Sequence, residues 1–393
     1  MAAGRSHERF RATLVISEIA LACVLLVGAG LLLRSFLRVL DVDLGFDPNH
    51  AASMMVDYQD GGKLATRGVV LQEMLRRVSA LPGIESAGIA DMLPLDRNRS
   101  WGLAAVGANY PKDRDDSALV YLVTPGYIPT LGMRLRAGRD FAWSDTPDTQ
   151  HVVIINEAAA RREWPGQNPI GKMANDVDKN PVQVIGVIAD VHESSLEVAS
   201  SPQVYVPMTQ NSDAEGATLV VRTKIAPGLL SSSVLTTLRA LNPSQPASEF
   251  KPLQSLVDHA VSPRRFFVLL VTIFAALGVL LAALGIYGVI SYSVTQKTQE
   301  IGVRMALGAT TGRVMRDVLA NTLRLTVAGI ALGTAASLAV ARLITSLLYF
   351  TSPWDAQTFL GMVFALLAVA LVSGFFPARR ASRVSPMTAL RNS

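Results

Sequence analysis

The sequence predicts an α+β membrane protein. Four transmembrane helices carry a large bilobed α/β extracytoplasmic domain between helices one and two. Three observations lead there. The mean hydropathy, +0.33, is high for a soluble globular chain and modest for a pure helical bundle. Four segments are apolar for the ~20 helical residues that cross a hydrocarbon core of about 30 Å. Charge is split by segment: residues 35–262 hold 20 Lys+Arg against 26 Asp+Glu, net −6, and the rest holds 16 against 5, net +11. The basic character thus belongs to the flanks of the spans, so no nucleic-acid partner is expected.

The first span covers 13–34, after a cytoplasmic N-terminus of residues 1–12. Its basic leader, Arg5, Arg9 and Arg11, resembles a signal sequence. The apolar run continues ten residues past Cys23 with no clear cleavage site, so an uncleaved signal anchor is expected. Cys23 is the only cysteine, and no disulfide can form within the chain. The second span and a stalk lie within 266–296, an uncharged run of 31 residues. The third covers 319–348 and the fourth 356–377, with a short external loop, 349–355, between them. Residues 378–393 form a tail.

Short flanks set orientation through Lys and Arg. Arg5, Arg9 and Arg11 precede span one, and Lys297, Arg304, Arg313 and Arg316 lie between spans two and three. Arg379, Arg380, Arg383 and Arg391 follow span four, whereas 351–355 carries neither Lys nor Arg. Both termini and the 297–318 loop are therefore expected in the cytoplasm, with 35–262 outside, in a plasma membrane.

Gly329 and Gly333 form a G-x-x-x-G pair, and Gly278, Ala282, Gly285 and Gly288 give span two small faces. Such faces let helices approach closely, within one bundle or between subunits. Glu18, Arg324 and Arg342 lie near span ends, where anchoring is the expected role and an ion path the alternative.

In the external region, Val70, Leu71, Met74, Leu75, Val78 and Leu81 share a helical face that Pro82-Gly83 stops. Strands are expected at 51–57 and 84–90. "TLVVRT", then a stripe of Leu230, Val234, Leu238 and Leu241, then a short strand near Phe250, repeat the pattern. The two halves, 45–92 and 215–262, would pair into one split lobe. Residues 93–214 would form an inserted lobe with strands in "HVVIIN", "VQVIGVIAD" and "QVYVPM" and a helix at 157–164.

Chemistry is sparse. Neither a P-loop, H-E-x-x-H nor G-x-S-x-G occurs, and "DVHE", Asp190 to Glu193, reads as a polar turn in preference to a metal site. No catalytic residue, metal or cofactor is expected. Between spans two and three, Ile301, Met305 and Gly308 share one helical face, and Glu300 and Arg304, one turn apart, can pair. Gly308 is a plausible break, and Thr310 or Thr311 can cap the next helix.

"TQEIGVRMALGATTGRVMRDVL" is very similar to the segment joining spans two and three in the MacB/FtsX family of ABC-transporter permeases. "FFPARRASRVSPMTALR" resembles that family's tail, "RFRATLVISEIALACVLLVGAGLLLRSF" its opening span, and "VVIINEAAARREWPGQNPIGK" with "VIGVIADVHESSLEVASSPQVYVPM" its extracytoplasmic core. The resemblance covers nearly the whole chain and is similar to one unit of the large duplicated permeases. It implies a mechanotransmission device serving export or release of a substrate that the residues leave open. It also implies a second permease unit, as a homodimer or a duplicated half, and a cytoplasmic ABC ATPase on a separate chain. Carried over by motif, Glu300, Ile301, Gly302, Arg304, Ala306, Leu307, Gly308 and Ala309 would face that ATPase. Arg379, Arg380, Pro386, Ala389, Leu390 and Arg391 would lie on the same side. Two alternatives stand beside this: a helix resting on anionic lipid, and an ATPase-independent scaffold that recruits a periplasmic partner.

Overall fold

The computed structural model describes residues 2–58, 63–96, 99–108, 115–176, 180–193, 196–214, 216–307, 309–345 and 348–382. Two compact units result, Met1–Asp41 with Pro263–Ser393, and Val42–Ser262. The chain opens with helix α1 (Ala2–Leu40).

The Val42–Ser262 unit is α+β. In chain order it holds β1 (Ala51–Met55), α2 (Leu64–Ser79), β2 (Ile84–Ala90), β3 (Arg99–Gly102), β4 (Ala104–Ala105), β5 (Ser117–Val123), α3 (Tyr127–Thr130) and β6 (Leu135–Gly138). There follow β7 (Val152–Asn156), α4 (Glu157–Glu163), β8 (Met173–Asn175), β9 (Pro181–Ile188), β10 (Gln203–Pro207), β11 (Thr218–Thr223), α5 (Ser231–Leu241) and β12 (Lys251–Pro252). The strands form one sheet in the order β12-β1-β11-β2-β5-β10-β7-β9-β8-β4, with β3 beside β5 and β6 beside β9. Strands from the two ends of this unit alternate at one side of the sheet, so neither end can complete the sheet alone.

Two apolar cores lie along that sheet. Leu71, Met74, Leu75 and Val78 of α2 and Val234 and Leu238 of α5 pack on Met54, Ile89, Leu219 and Val221. Ala159 of α4 and the adjacent Trp164 pack on Val120, Val153, Ile155, Val184 and Val204. Each fully buried aliphatic side chain contributes about 1.5–3 kcal/mol. Asn156 starts α4 by accepting from the Ala159 amide at 2.9 Å.

Between the cores, β2 and β5 share the residue pair Ala90–Val123. Asp91 reinforces this seam. Its amide donates to the Leu122 carbonyl at 3.0 Å, and its carboxylate accepts from the Leu122 amide at 2.8 Å and from Arg99 Nη2 at 2.6 Å. Burial pushes the Asp91 carboxyl up to about 6, against the pull of the Leu122 amide and Arg99. Tyr121 of β5 and Tyr205 of β10 stack beside it, ring centroids 5.0 Å apart.

The other unit continues with α6 (Gln254–Gln296, whose first turns fall within Val42–Ser262), α7 (Thr298–Ala306), α8 (Thr311–Leu343) and α9 (Ala356–Ala381). Among the described residues, four helices are long and apolar enough to cross a membrane: Phe10–Leu40, Gln254–Gln296, Thr311–Leu343 and Ala356–Ala381. Helix α6 starts at Gln254, well before the uncharged run that begins at Phe266, and continues through Pro263. A proline removes one helical hydrogen bond, which costs a helix less than the turns on either side supply.

Helix α1 is the centre of this bundle. Val15, Ile19, Ala22, Cys23, Val27 and Leu31 meet Ala282, Ile286 and Ile290 of α6, Ile330 and Ala341 of α8, and Met362, Leu366 and Ala370 of α9. Glycines set the closest approaches. A Cβ on Gly333 would sit 2.6 Å from the Cys23 Cβ and 2.9 Å from the Ala20 backbone, and one on Gly329 would sit 2.7 Å from the Ile19 Cβ. Gly278 faces Ala22 and Leu25, and Gly285 faces the Glu18 carboxylate, whereas Gly288 meets open space. Four of these glycines thus serve packing within the bundle.

At the far end of α1, Arg34 pairs with Asp355, which caps α9 by accepting from the Thr358 amide at 3.0 Å. Next to it, the Ser35 hydroxyl accepts from the Tyr349 amide at 2.7 Å and from Arg264 Nη2 at 2.6 Å. Arg342 lies over the Trp354 ring at 5.0 Å, and Arg11, at the other end, over Tyr292 at 3.8 Å. These contacts give the flanking arginines anchoring roles.

Candidate functional site: a short helix and cleft between two spans

Helix α7 presents three faces. Gly302 is buried, with Thr298 and Met305 half-buried on the same side. Gln299 and Val303 point outward, Val303 with 41% of its surface free. The third face, Lys297, Glu300, Ile301, Arg304 and Leu307, follows a spacing of three and four residues and lines a cleft. Glu300 and Arg304 form an ion pair on that face. Both are more than half exposed, so the pair is worth about 0.3–0.5 kcal/mol. It fixes a charge pattern on the helix more than it stabilises the fold.

Leu307 caps the end of the helix; its amide donates to the Val303 carbonyl at 3.0 Å and its side chain is 84% exposed. A leucine this free at a helix end, one turn from exposed Val303, leaves apolar surface uncovered. Ala309 is half-buried and its amide donates to the Arg304 carbonyl at 3.0 Å. Thr310 holds the N-cap position just before α8 in extended backbone, and its side chain makes no capping hydrogen bond. The backbone supplies the bond instead, Arg313 donating to the Thr310 carbonyl at 3.0 Å.

The cleft has a volume of about 820 Å³ and lies between the end of α6, α7 and the start of α8. Ile290, Val294, Ile301, Val314 and Val318 give it an apolar floor. Lys297, Arg304, Arg313 and Arg324, with Glu300 and Asp317, line its polar walls.

Of the residues expected to face a partner, Glu300, Ile301, Arg304, Leu307 and Ala309 meet at this cleft, while Gly302 points into the packed side of α7. Ala306 is the last helical residue. Arg379 and Arg380 are exposed in the last turn of α9, and among the described residues no hydrogen bond or ion pair joins them to α7. Gly308, Pro386, Ala389, Leu390 and Arg391 lie outside the described residues. Sequence reading passed over Val303, whose exposure depends on which face of α7 is packed. The "DVHE" residues serve the fold. Asp190 accepts from the Ala158 amide at 2.7 Å and pairs with Arg161 at 2.6 Å, and buried Glu193 accepts from the Ser201 amide at 3.0 Å.

A short charged helix thus lies between two candidate spans, and a sheet-rich domain follows the first. Residues 14–239 match the MacB-like periplasmic core domain family, and residues 272–386 match the FtsX-like permease C-terminal family. The chain belongs to the MacB/FtsX-like family of ABC permeases. It is 25% identical over 283 residues to the macrolide export ATP-binding/permease protein MacB of Mannheimia succiniciproducens, covering 67% of this chain and 42% of that protein. It is 24% identical over 293 residues to the ABC transporter permease YknZ of Bacillus subtilis, covering 72% of each. The chain therefore spans less than half the length of the ATP-binding/permease relatives it matches. The crystal structure of the periplasmic region of MacB from Actinobacillus actinomycetemcomitans is similar at a TM-score of 0.39 and 18% identity, covering 56% of this chain and 97% of that one.

Proposed function

We propose that this chain is a non-catalytic permease subunit that carries the motion of a cytoplasmic ABC ATPase, on a separate chain, across the plasma membrane to its extracytoplasmic domain. The termini and residues 297–318 lie in the cytoplasm and residues 35–262 outside. A second permease unit completes the device, and the work done is export or release of a substrate. The ATPase seats on α7 and the segment after it, with Glu300, Ile301, Gly302, Arg304, Ala306, Leu307, Gly308 and Ala309 at the contact and the 379–391 tail nearby. Relatives whose names join ATP binding with permease activity support the pairing.

The observation that carries this reading is the state of α7: nine residues between two candidate spans, with Val303 and Leu307 exposed beside the Glu300–Arg304 pair. A few apolar anchors of this kind commonly dominate the energy of an interface. The test is co-purification. Wild-type protein retains an ATPase and raises its hydrolysis rate, and a Val303→Asp, Leu307→Asp variant loses both at unchanged thermal stability. Retention of partner and stimulation by that variant would remove the proposal.

A further inference from the structure

The cleft beside α7 changes character from rim to floor. Its floor is aliphatic, formed by Ile290, Val294, Val314 and Val318. Its charged lining is Lys297, Arg304, Arg313 and Arg324 against Glu300 and Asp317, four minus two, or +2. Arg304 is committed to Glu300. Among the described residues no ion pair engages Lys297, Arg313 or Arg324, and all three are exposed.

Arg313 and Arg324 are eleven residues apart on α8, which is roughly 16 Å along a helix. That is about half the thickness of a hydrocarbon core. Beyond Ile290 the gap closes, where Ile286 and Val289 meet Val15 of α1 and Thr322 and Leu325 of α8. The site is therefore a blind, apolar-floored slot with a basic rim, set at the end of two spans. A small inorganic anion would satisfy the rim and leave the floor wet. A zwitterionic lipid would bring its own cation against the unpaired lysine and arginines. An anionic amphiphile meets both surfaces at once.

We infer that this slot holds one anionic phospholipid, its phosphate among the basic lining residues and an acyl chain on the Ile290–Val318 floor, bracing α7 against α8. Its assignment to the inner leaflet rests on the orientation proposed above, whereas the class of lipid does not.

The experiment uses the full purified chain, mixed with equal phosphatidylglycerol and phosphatidylcholine and examined by native mass spectrometry. The wild type keeps one phosphatidylglycerol per chain with at least a tenfold preference, and millimolar inorganic phosphate does not displace it. Arg313→Gln with Arg324→Gln abolishes the preference. Arg316→Gln, which removes one arginine charge from the same helix outside the lining, retains it. Lys297→Gln gives a second reading where the double variant folds poorly. Equal retention of the two lipids by the wild type, displacement by phosphate, or an unchanged preference in the lining variants would overturn the inference. Lining variants that keep the lipid preference but lose an ATPase would show a protein in the slot, and would overturn it as well. Failure of the coupling proposal would instead appear in Val303→Asp alone, which lies outside the slot lining, with the lipid preference intact.

Discussion

Arg34, near the end of α1, pairs with Asp355, the residue that caps α9. One carboxylate thus closes the open end of the last span and holds the first span to it. Asp355→Asn keeps an acceptor for the Thr358 amide and loses the ion pair, so it should cost less than Asp355→Ala, which loses both. About 1 kcal/mol of the difference belongs to the cap. Arg34→Ala should add to Asp355→Ala only the loss of its hydrogen bond to Gln357, because the ion pair is shared by both. Thermal unfolding of the wild type, both Asp355 variants, Arg34→Ala and the Arg34→Ala, Asp355→Ala double variant in one detergent measures this cycle.

The glycines of α8 separate close packing from open surface. Gly329→Ala and Gly333→Ala each place a Cβ under 3.0 Å from the side chain or backbone of α1. Each should destabilise the bundle by about 1–3 kcal/mol. Gly285→Ala meets the carboxylate of Glu18, which can rotate away, and should cost less. Gly288→Ala and Gly361→Ala face nothing within 4 Å and should leave the melting temperature unchanged or slightly higher.

Asp91 gives the external sheet a pH dependence. Its carboxyl is raised from 3.8 to about 6, so between these values the folded chain binds more protons than the unfolded one. Stability should therefore fall as pH rises through this window, by up to about 3 kcal/mol from this group alone. Asp91→Asn should flatten that part of the profile in chemical denaturation followed from pH 4 to 7. An unchanged slope would place the effect elsewhere.

How much could be read in advance differs by element. The spans were legible because lipid demands length and apolarity and little else. The α2 and α5 stripes were legible because each helix buries one face. Strand β5, Ser117–Val123, was passed over although it lies in the middle of the sheet. Five of its seven residues are buried, so it lacks the alternation that marks a half-exposed strand. Strand β6, Leu135–Gly138, is exposed along its length, and its one large apolar residue, Leu135, gives too short a signal to mark a strand. The start of α6 was not legible because hydropathy marks where lipid is met, and the helix extends into charged sequence around Asp258, Arg264 and Arg265. At the candidate site, the Glu300–Arg304 pair followed from spacing. The cleft residues Lys297, Arg313, Asp317 and Arg324 did not, because the fold must bring the junction before α7 together with α8.

The 84% exposure of Leu307 makes it a direct probe of which side of the membrane α7 occupies. In a Cys23→Ala background, cysteines are introduced singly at Leu307 and at Val198, which is 57% exposed in the external unit. Sealed, oriented membrane vesicles are then treated with a membrane-impermeant maleimide. The proposed arrangement predicts that position 307 is modified only from the cytoplasmic face and position 198 only from the opposite face. Modification of both from the same side would contradict it.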